Sequence, residues 1–300
     1  MLVKLALHAG VLVTGLALGG SALADAPKAD KAAPSAAPKA PAKKAPTGKS
    51  DKKKASTLDL EALKKDLESG DEPRTLDALG RIGDSGEAEA APLVEALLAR
   101  GANTTVLLRA IEVARKLAQP SSAAALVPYV GHRKPEVRRA AASALALTKA
   151  PEAAVALRKA LRSNDPQLRA IAARGLGKLG AKDAVEDLFA VLPKDVPEAA
   201  ASIGALCVGA ECERFIELMG KLPFDVMESG LEPLFLRPSA DVSDDLKIKI
   251  VERLQRLTSK AATELLTRTK TILPADTSPK VKQAIEAALR GKVIAEGRGK

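Results

Sequence analysis

The sequence predicts an all-α protein, a solenoid of stacked antiparallel helix pairs. Pro73, Pro135, Pro166 and Pro197 lie on a lattice with a step of 31 residues, and Thr104 fills the remaining slot. A fixed period of this size indicates repeated units that cannot bury a core alone, and we expect about six or seven of them. The chain also has only four Phe, one Tyr and no Trp. That composition suits thin layers of closely packed Ala- and Leu-rich helices.

Each lattice position is followed by the same apolar spacing, i, i+4, i+7 and i+8, which forms one face of an α-helix. Proline is favoured at the start of a helix because its missing N–H costs nothing there. Few stretches alternate with period two, so no sheet is expected. The apolar sets of four successive repeats are Val106, Ala110, Val113 and Ala114; Val137, Ala141, Ala144 and Leu145; Leu168, Ala172, Gly175 and Leu176; and Ala199, Ile203, Leu206 and Cys207.

The net charge of +10 lies outside the repeats. Residues 25–56 carry nine Lys against three Asp, and the tail 290–300 contributes a further +3. With +1 from Lys4, these ends account for the whole excess and leave residues 57–289 neutral. Nucleic-acid binding requires a basic footprint on a folded face, so no nucleic-acid partner is expected.

The first segment has the pattern of a secretory signal peptide, residues 1–24. Lys4 precedes an uncharged run that ends in small residues, with Ala22 and Ala24 marking the cleavage site. We therefore expect export, to the periplasm or the medium. The alternative is an inner-membrane anchor formed by residues 5–24, since about twenty residues suffice to span a bilayer.

Three further segments follow from composition. Residues 25–56, rich in Ala, Pro and Lys, predict a disordered linker, either a passive spacer or an electrostatic contact for cell-wall polyanions or anionic lipid. Residues 57–290 form the predicted helical-repeat domain, and residues 291–300 a flexible basic tail.

Two stretches, residues 135–150 and 165–180, resemble HEAT repeats, among them the short HEAT-like repeats named after phycobilisome lyases. The resemblance implies an α-solenoid and leaves the function open, because one fold hosts many tasks. Leu107 and Ala200 depart from it, since each replaces the arginine of the pattern. The residues that carry the resemblance are Asp165-Pro166, Val137-Arg138, Leu168-Arg169, Ala141, Ala172, Leu176-Gly177 and Leu179-Gly180.

Basic side chains concentrate in the middle repeats, where residues 100–182 hold sixteen Lys and Arg against four Asp and Glu. A solenoid turns such a block into a regional surface, which could steer an acidic protein partner. The alternative is a ladder of repeat arginines that pair with acids between repeats, such as Asp165. The candidate partner-binding residues are Arg138, Arg139, Arg169 and Arg174.

The two cysteines, Cys207 and Cys212, are five residues apart, at the end of one predicted helix and the start of the next. This spacing is compatible with a disulfide, which export would favour. Alternatively, Cys207 is a small buried hydrophobic residue, because it occupies the slot of Leu145 and Leu176.

Residues suited to catalysis are scarce. Histidine occurs only at His8 and His132, so catalytic triads and histidine metal sites lack their usual member. We predict no cofactor, no metal and no enzyme activity, and expect an exported scaffold that binds a protein partner. The alternatives are a membrane-anchored assembly or spacer protein and a HEAT-like enzyme resembling bilin lyases or DNA glycosylases; the absence of Trp weighs against a glycosylase.

Overall fold

A computed structural model describes residues 58–257 and 259–297, with side chains described to Gly291. The predicted signal peptide with Ala22 and Ala24, and the predicted linker, lie outside these residues.

The described residues form an all-α structure. They contain no strand, and the one isolated bridge joins Met219 to Leu222. Short 3-10 turns link several of the helices. In chain order the fifteen α-helices are α1 (Leu60–Glu68), α2 (Glu72–Ser85), α3 (Ala91–Arg100), α4 (Thr104–Leu117), α5 (Ser122–Leu126), α6 (Pro135–Thr148), α7 (Pro151–Ala160), α8 (Pro166–Leu179), α9 (Val185–Val191), α10 (Pro197–Leu206), α11 (Ala210–Glu217), α12 (Phe224–Leu236), α13 (Asp244–Arg256), α14 (Lys260–Ile272) and α15 (Pro279–Gly297).

The 31-residue lattice marks the starts of successive helices, as predicted. Thr104, Pro135, Pro166 and Pro197 are the first residues of α4, α6, α8 and α10, and Pro73 is the second residue of α2. Proline at these positions loses no hydrogen bond, because the first N–H groups of a helix have no partner within it.

The helices form a solenoid of antiparallel pairs. One layer, here called layer A, consists of α2, α4, α6, α8, α10 and α12, each packed on the next. Helices α1, α3, α5 and α7 stack in the same order to form a second layer. After α12 the order changes, since α13 packs mainly on α15 and α14 contacts both α12 and α15.

The core consists of two clusters of apolar side chains. The N-terminal cluster runs from Leu63 to Ala156, and the C-terminal cluster runs from Ala142 to Ala288, so the two overlap only at α6 and α7. All sixteen residues of the predicted apolar sets are buried. The largest buried rings, Phe215 and Phe235, both belong to the C-terminal cluster.

Small residues allow the layer A helices to approach closely. A Cβ atom placed on Gly204 of α10 would lie 3.0 Å from the Cα of Gly230 in α12, and closer still to its carbonyl oxygen. Between α8 and α10, the Ser202 hydroxyl donates a hydrogen bond to the Ala173 carbonyl at 2.8 Å. At the contact between Gly204 and Gly230 a side chain would not fit, so glycine is required there.

The region 211–240 continues the pattern of helix pairs. Helix α12 occupies the next place in layer A, although its distance from α10 along the chain departs from the strict step. At the end of the chain, α15 continues as far as Gly297 and so extends into the expected tail, residues 291–300. No helix among the described residues is long and apolar enough to cross a membrane.

Candidate functional site

A shallow hollow of about 100 Å³ lies across the outer surface of layer A, where α4, α6 and α8 meet. We call it the basic hollow. Its lining combines three cations with two aliphatic side chains, and no acidic residue lines it. The lining residues are Arg115, Ser143, Ala146, Leu147, Ile171, Arg174, Gly175 and Lys178.

The cations of the basic hollow differ in their pairing. Arg174 donates a hydrogen bond to Glu198 at 2.9 Å, while its own side chain stays 59% exposed. Arg115 and Lys178 are exposed and form no ion pair with any described residue. A new contact at these two unpaired cations would therefore break no ion pair between described residues.

Arg139, in α6, holds the residue that caps the start of α8. Its guanidinium donates two hydrogen bonds to the Asp165 carboxylate, at 2.9 and 3.1 Å. Asp165 also accepts from the backbone N–H groups of Gln167 and Leu168, and so caps the start of α8. Chiefly because of the bond from Arg139, the pKa of Asp165 lies below its ordinary value.

Arg138 and Arg169 play the same part in successive repeats. Each donates to a backbone carbonyl six residues earlier, Arg138 to His132 and Arg169 to Ser163, both at 3.0 Å. Arg138 also approaches Asp165 at 3.7 Å. These bonds fasten the turn before each layer A helix and leave both side chains only partly accessible.

Of the four candidate arginines, only Arg174 lines the basic hollow. Arg139 links two repeats, and the other two arginines hold the turns before their helices. Sequence reasoning missed Arg115 and Lys178. The signal was available in the period, because Lys178 occupies the outward repeat position of Leu147, one step of 31 earlier.

Cys207 and Cys212 form a disulfide, with their Cα atoms 5.2 Å apart. The bond closes the turn between α10 and α11. Arg237 braces this turn from the end of α12, since its guanidinium donates to the carbonyls of Cys207 at 2.7 Å and Gly204 at 3.3 Å. The guanidinium also lies 3.9 and 4.0 Å from the two sulfurs.

A second hollow, of about 180 Å³, lies among the C-terminal helices; we call it the lysine hollow. Its walls come from the connection between α12 and α13, the connection between α14 and α15, and the first part of α13. The lining residues are Leu236, Arg237, Pro238, Ser239, Lys247, Pro274, Asp276 and Thr277.

Lys247 is the unusual group of this hollow. It is 1% exposed, and its ammonium donates a hydrogen bond to the Arg237 carbonyl. It forms no salt bridge with a described carboxylate, although the charges of Asp244 and Asp276 act on it. Burial lowers the pKa of Lys247, and the two carboxylates only partly oppose this.

Asp244 stands beside the lysine as an ionised group. The Ser239 hydroxyl donates a hydrogen bond to its carboxylate at 2.6 Å, and this bond is the main cause of the lowered pKa of Asp244. Within the described residues, no group of three or more His, Cys, Asp or Glu side chains is placed to hold a metal ion.

The solenoid and its arginine-fastened repeats define a helical-repeat protein, and family comparison gives the particular class. Residues 90–166 match the family described as HEAT repeats, and residues 168–192 match the PBS lyase HEAT-like repeat. Residues 90–192 therefore contain HEAT repeats, among them one of the phycobilisome-lyase type, as the sequence resemblance indicated.

Several solved structures are similar to this chain. The complex of CpcE and CpcF of phycocyanin lyase from Nostoc sp. PCC7120 contains a chain that is 17% identical to this one. The match covers 83% of this chain and 100% of that chain, with a TM-score of 0.45. Human deoxyhypusine hydroxylase shares 14% identity over 78% of this chain and 96% of its own, with a TM-score of 0.36. A designed armadillo repeat protein in complex with the peptide (KR)4 shares 16% identity over 78% and 100%, with a TM-score of 0.34. No curated protein matches the chain at a significant level.

Proposed function

We propose that this protein is an exported, non-catalytic scaffold that binds an acidic protein partner through the outer surface of layer A. The observation that carries the proposal is the basic hollow, where the unpaired cations Arg115 and Lys178 flank the aliphatic side chains of Leu147 and Ile171. Apolar contact with surrounding charge is the pattern of a specific protein interface, in which the charges speed and orient association.

The chemistry of the hollow selects the partner segment. An aliphatic side chain of the partner would cover Leu147 and Ile171, and carboxylates on either side of it would meet Arg115 and Lys178. Because Arg174 already pairs with Glu198, it contributes less to attraction than the two unpaired cations. The favoured partner segment therefore alternates acidic and aliphatic residues.

The test measures binding of fluorescent Glu/Leu peptides by anisotropy, with Gln/Leu and Lys/Leu peptides of the same length for comparison. The double variant Arg115→Glu, Lys178→Glu should bind the Glu/Leu peptide about tenfold or more weakly at low salt. Added salt should weaken wild-type binding, because the contact is exposed and screened.

The matched control reverses two exposed lysines outside layer A, Lys159→Glu and Lys182→Glu, neither of which forms an ion pair among the described residues. This variant has the same net charge as the double variant. Equal loss of binding in both would mean general charge attraction, and would overturn the role of the basic hollow.

Export has its own experiment, the intact mass of the protein purified from its own cells, with and without reduction before thiol alkylation. Loss of residues 1–24, with both thiols blocked until reduction, is expected for an exported chain. A full-length mass would instead support an anchor at residues 5–24. That result would leave the binding proposal standing, since the two measurements are independent.

The match of residues 168–192 to a PBS lyase HEAT-like repeat favours bilin attachment as a second candidate. Incubation with free bilin and a bilin-accepting protein separates the two possibilities. A visible absorption band on the acceptor that appears only with this protein would establish the lyase. Its absence is the outcome expected for a scaffold.

A further inference from the structure

Lys247 is placed where a lysine costs stability. It lies in the first part of α13, four residues after the N-cap Ser243. The positive end of the helix dipole disfavours a cation there, and burial without a salt bridge adds to the cost. A buried cation whose cost is only partly compensated is typical of a functional site.

The ammonium has hydrogen-bonding capacity that the protein leaves unused. It carries three N–H donors, and within the described part of the chain the Arg237 carbonyl is its one acceptor. The Arg237 guanidinium is turned to the disulfide turn, where it bonds to the carbonyls of Gly204 and Cys207. Of the two cations that line this hollow, Lys247 is therefore the one whose donors are not all used.

The walls of the hollow define the rest of the ligand. Leu236, Pro238 and Pro274 supply apolar surface, while Asp276 supplies an exposed carboxylate. A simple anion would be attracted by Lys247 but repelled by Asp276. A simple cation would be attracted by Asp276 but repelled by Lys247. A molecule with both charges satisfies both groups. The volume, about 180 Å³, is below that of pockets for drug-sized ligands and suits a molecule of few atoms.

We infer that the lysine hollow binds a small zwitterion of the α-amino-acid class, with its carboxylate on the Lys247 ammonium and its own ammonium on Asp276. Its short aliphatic part packs against Pro238 and Pro274. The site is separate from the basic hollow, since the two have no residue in common. It gives the scaffold a means to sense a small metabolite.

The experiment titrates the full-length protein with glycine, alanine, serine, valine and proline, by calorimetry and by NMR of the lysine Nζ signals. At least one of these should bind saturably and shift the Lys247 signal. Acetate and ethylamine, which carry one charge each, should bind about tenfold or more weakly, because each forms only one of the two charged contacts.

Two variants test the assignment of each charge. Lys247→Met keeps the side-chain length, and Asp276→Asn changes an exposed residue that does not affect the core. Each should weaken binding about tenfold or more. The matched controls Lys249→Met and Asp245→Asn, on the same helix as Lys247, should bind as the wild type does. Binding unchanged in both test variants, or no saturable binding of any amino acid, would overturn the proposal.

Discussion

The regular repeats and the irregular C-terminal end of this solenoid solve the same packing problem with different residues. From α2 to α10, the layer A helices follow the 31-residue lattice, and alanine and leucine are the commonest residues of the N-terminal cluster. From α11 to α15 the spacing varies, the fully buried rings of Phe215 and Phe235 lie in the core, and a disulfide and a buried lysine appear. The regular part repeats one set of contacts, while the irregular part builds single features that occur once. The basic hollow belongs to the first region and the lysine hollow to the second.

The junction of the two regions should be the most sensitive point. In Gly230→Ala, the new methyl group would collide with the Ala200 carbonyl and the Phe215 ring, so α10 and α12 would have to separate. We expect a loss of about 4 kcal/mol or more in the free energy of unfolding, measured by urea denaturation followed by circular dichroism.

Gly131→Ala provides the control for this substitution, because no atom lies within 4 Å of the position its Cβ would take. It should change stability by less than about 1 kcal/mol. If Gly230→Ala were equally mild, α10 and α12 would not be in close contact, and the junction would not differ from the repeats around it.

A second test concerns the ion pair between Arg139 and Asp165, which joins two repeats in the regular region. Asp165→Ala removes the cap of α8 and the partner of Arg139 together, so we expect a loss of about 2 to 3 kcal/mol near neutral pH. In Asp71→Ala, which removes the cap of α2 alone, the expected loss is about 1 kcal/mol. Thermal and urea unfolding of the two variants provide the comparison.

The pH dependence of the Asp165 variant has a definite sign. Because the pKa of Asp165 is lower in the folded protein, its contribution is complete above the ordinary carboxyl pKa of about 4 and is lost as pH falls through the lowered value. The gap between wild type and Asp165→Ala should therefore narrow in acid. A gap that stayed constant down to the acid limit would show that the carboxylate charge contributes nothing.

The disulfide gives the third test, in the irregular region. Removing the Cys207–Cys212 bond with the double change to Ala should cost about 2 kcal/mol, as expected for a short closed loop. Hydrogen exchange should locate the effect. Amides of α10 and α11 should lose protection, while those of α2 and α4 should keep theirs, because each repeat contacts only its neighbours. Equal loss of protection throughout would mean that the solenoid behaves as one cooperative unit.

Lys247→Met gives the smallest expected effect. Because the pKa of Lys247 is lowered by burial, the unfolded chain binds more protons than the folded one between that value and the ordinary lysine pKa. This group therefore makes wild-type stability rise with pH across that window. The variant should lack this rise and be at least as stable as wild type at neutral pH. Urea midpoints from neutral to alkaline pH, with Lys249→Met as control, test the difference.

The solenoid could be predicted because its signals are local and repeated. Proline at a helix start and an apolar spacing of 3.6 residues can be recognised without knowing any distant contact. The apolar spacing also occurs in four successive repeats. Of the arginines named from the sequence, only Arg174 lines the basic hollow, because the sequence does not show which arginines bond to the turns, as Arg138 and Arg169 do. No pattern in the sequence indicated the lysine hollow. It forms from two connections and one helix that are distant in sequence, and Lys247 has the same polar appearance as its exposed neighbours.

The division of the core has a consequence for how the chain is made. All buried members of the N-terminal cluster lie between Leu63 and Ala156, so this part of the core draws on one continuous stretch of sequence. The shared helices α6 and α7 would then present a finished apolar edge to each later helix as it emerges. Growth by addition to an existing end keeps every contact short in sequence and exposes little apolar surface at any moment. The order of the repeats along the chain is thereby also an order in which the core can be extended.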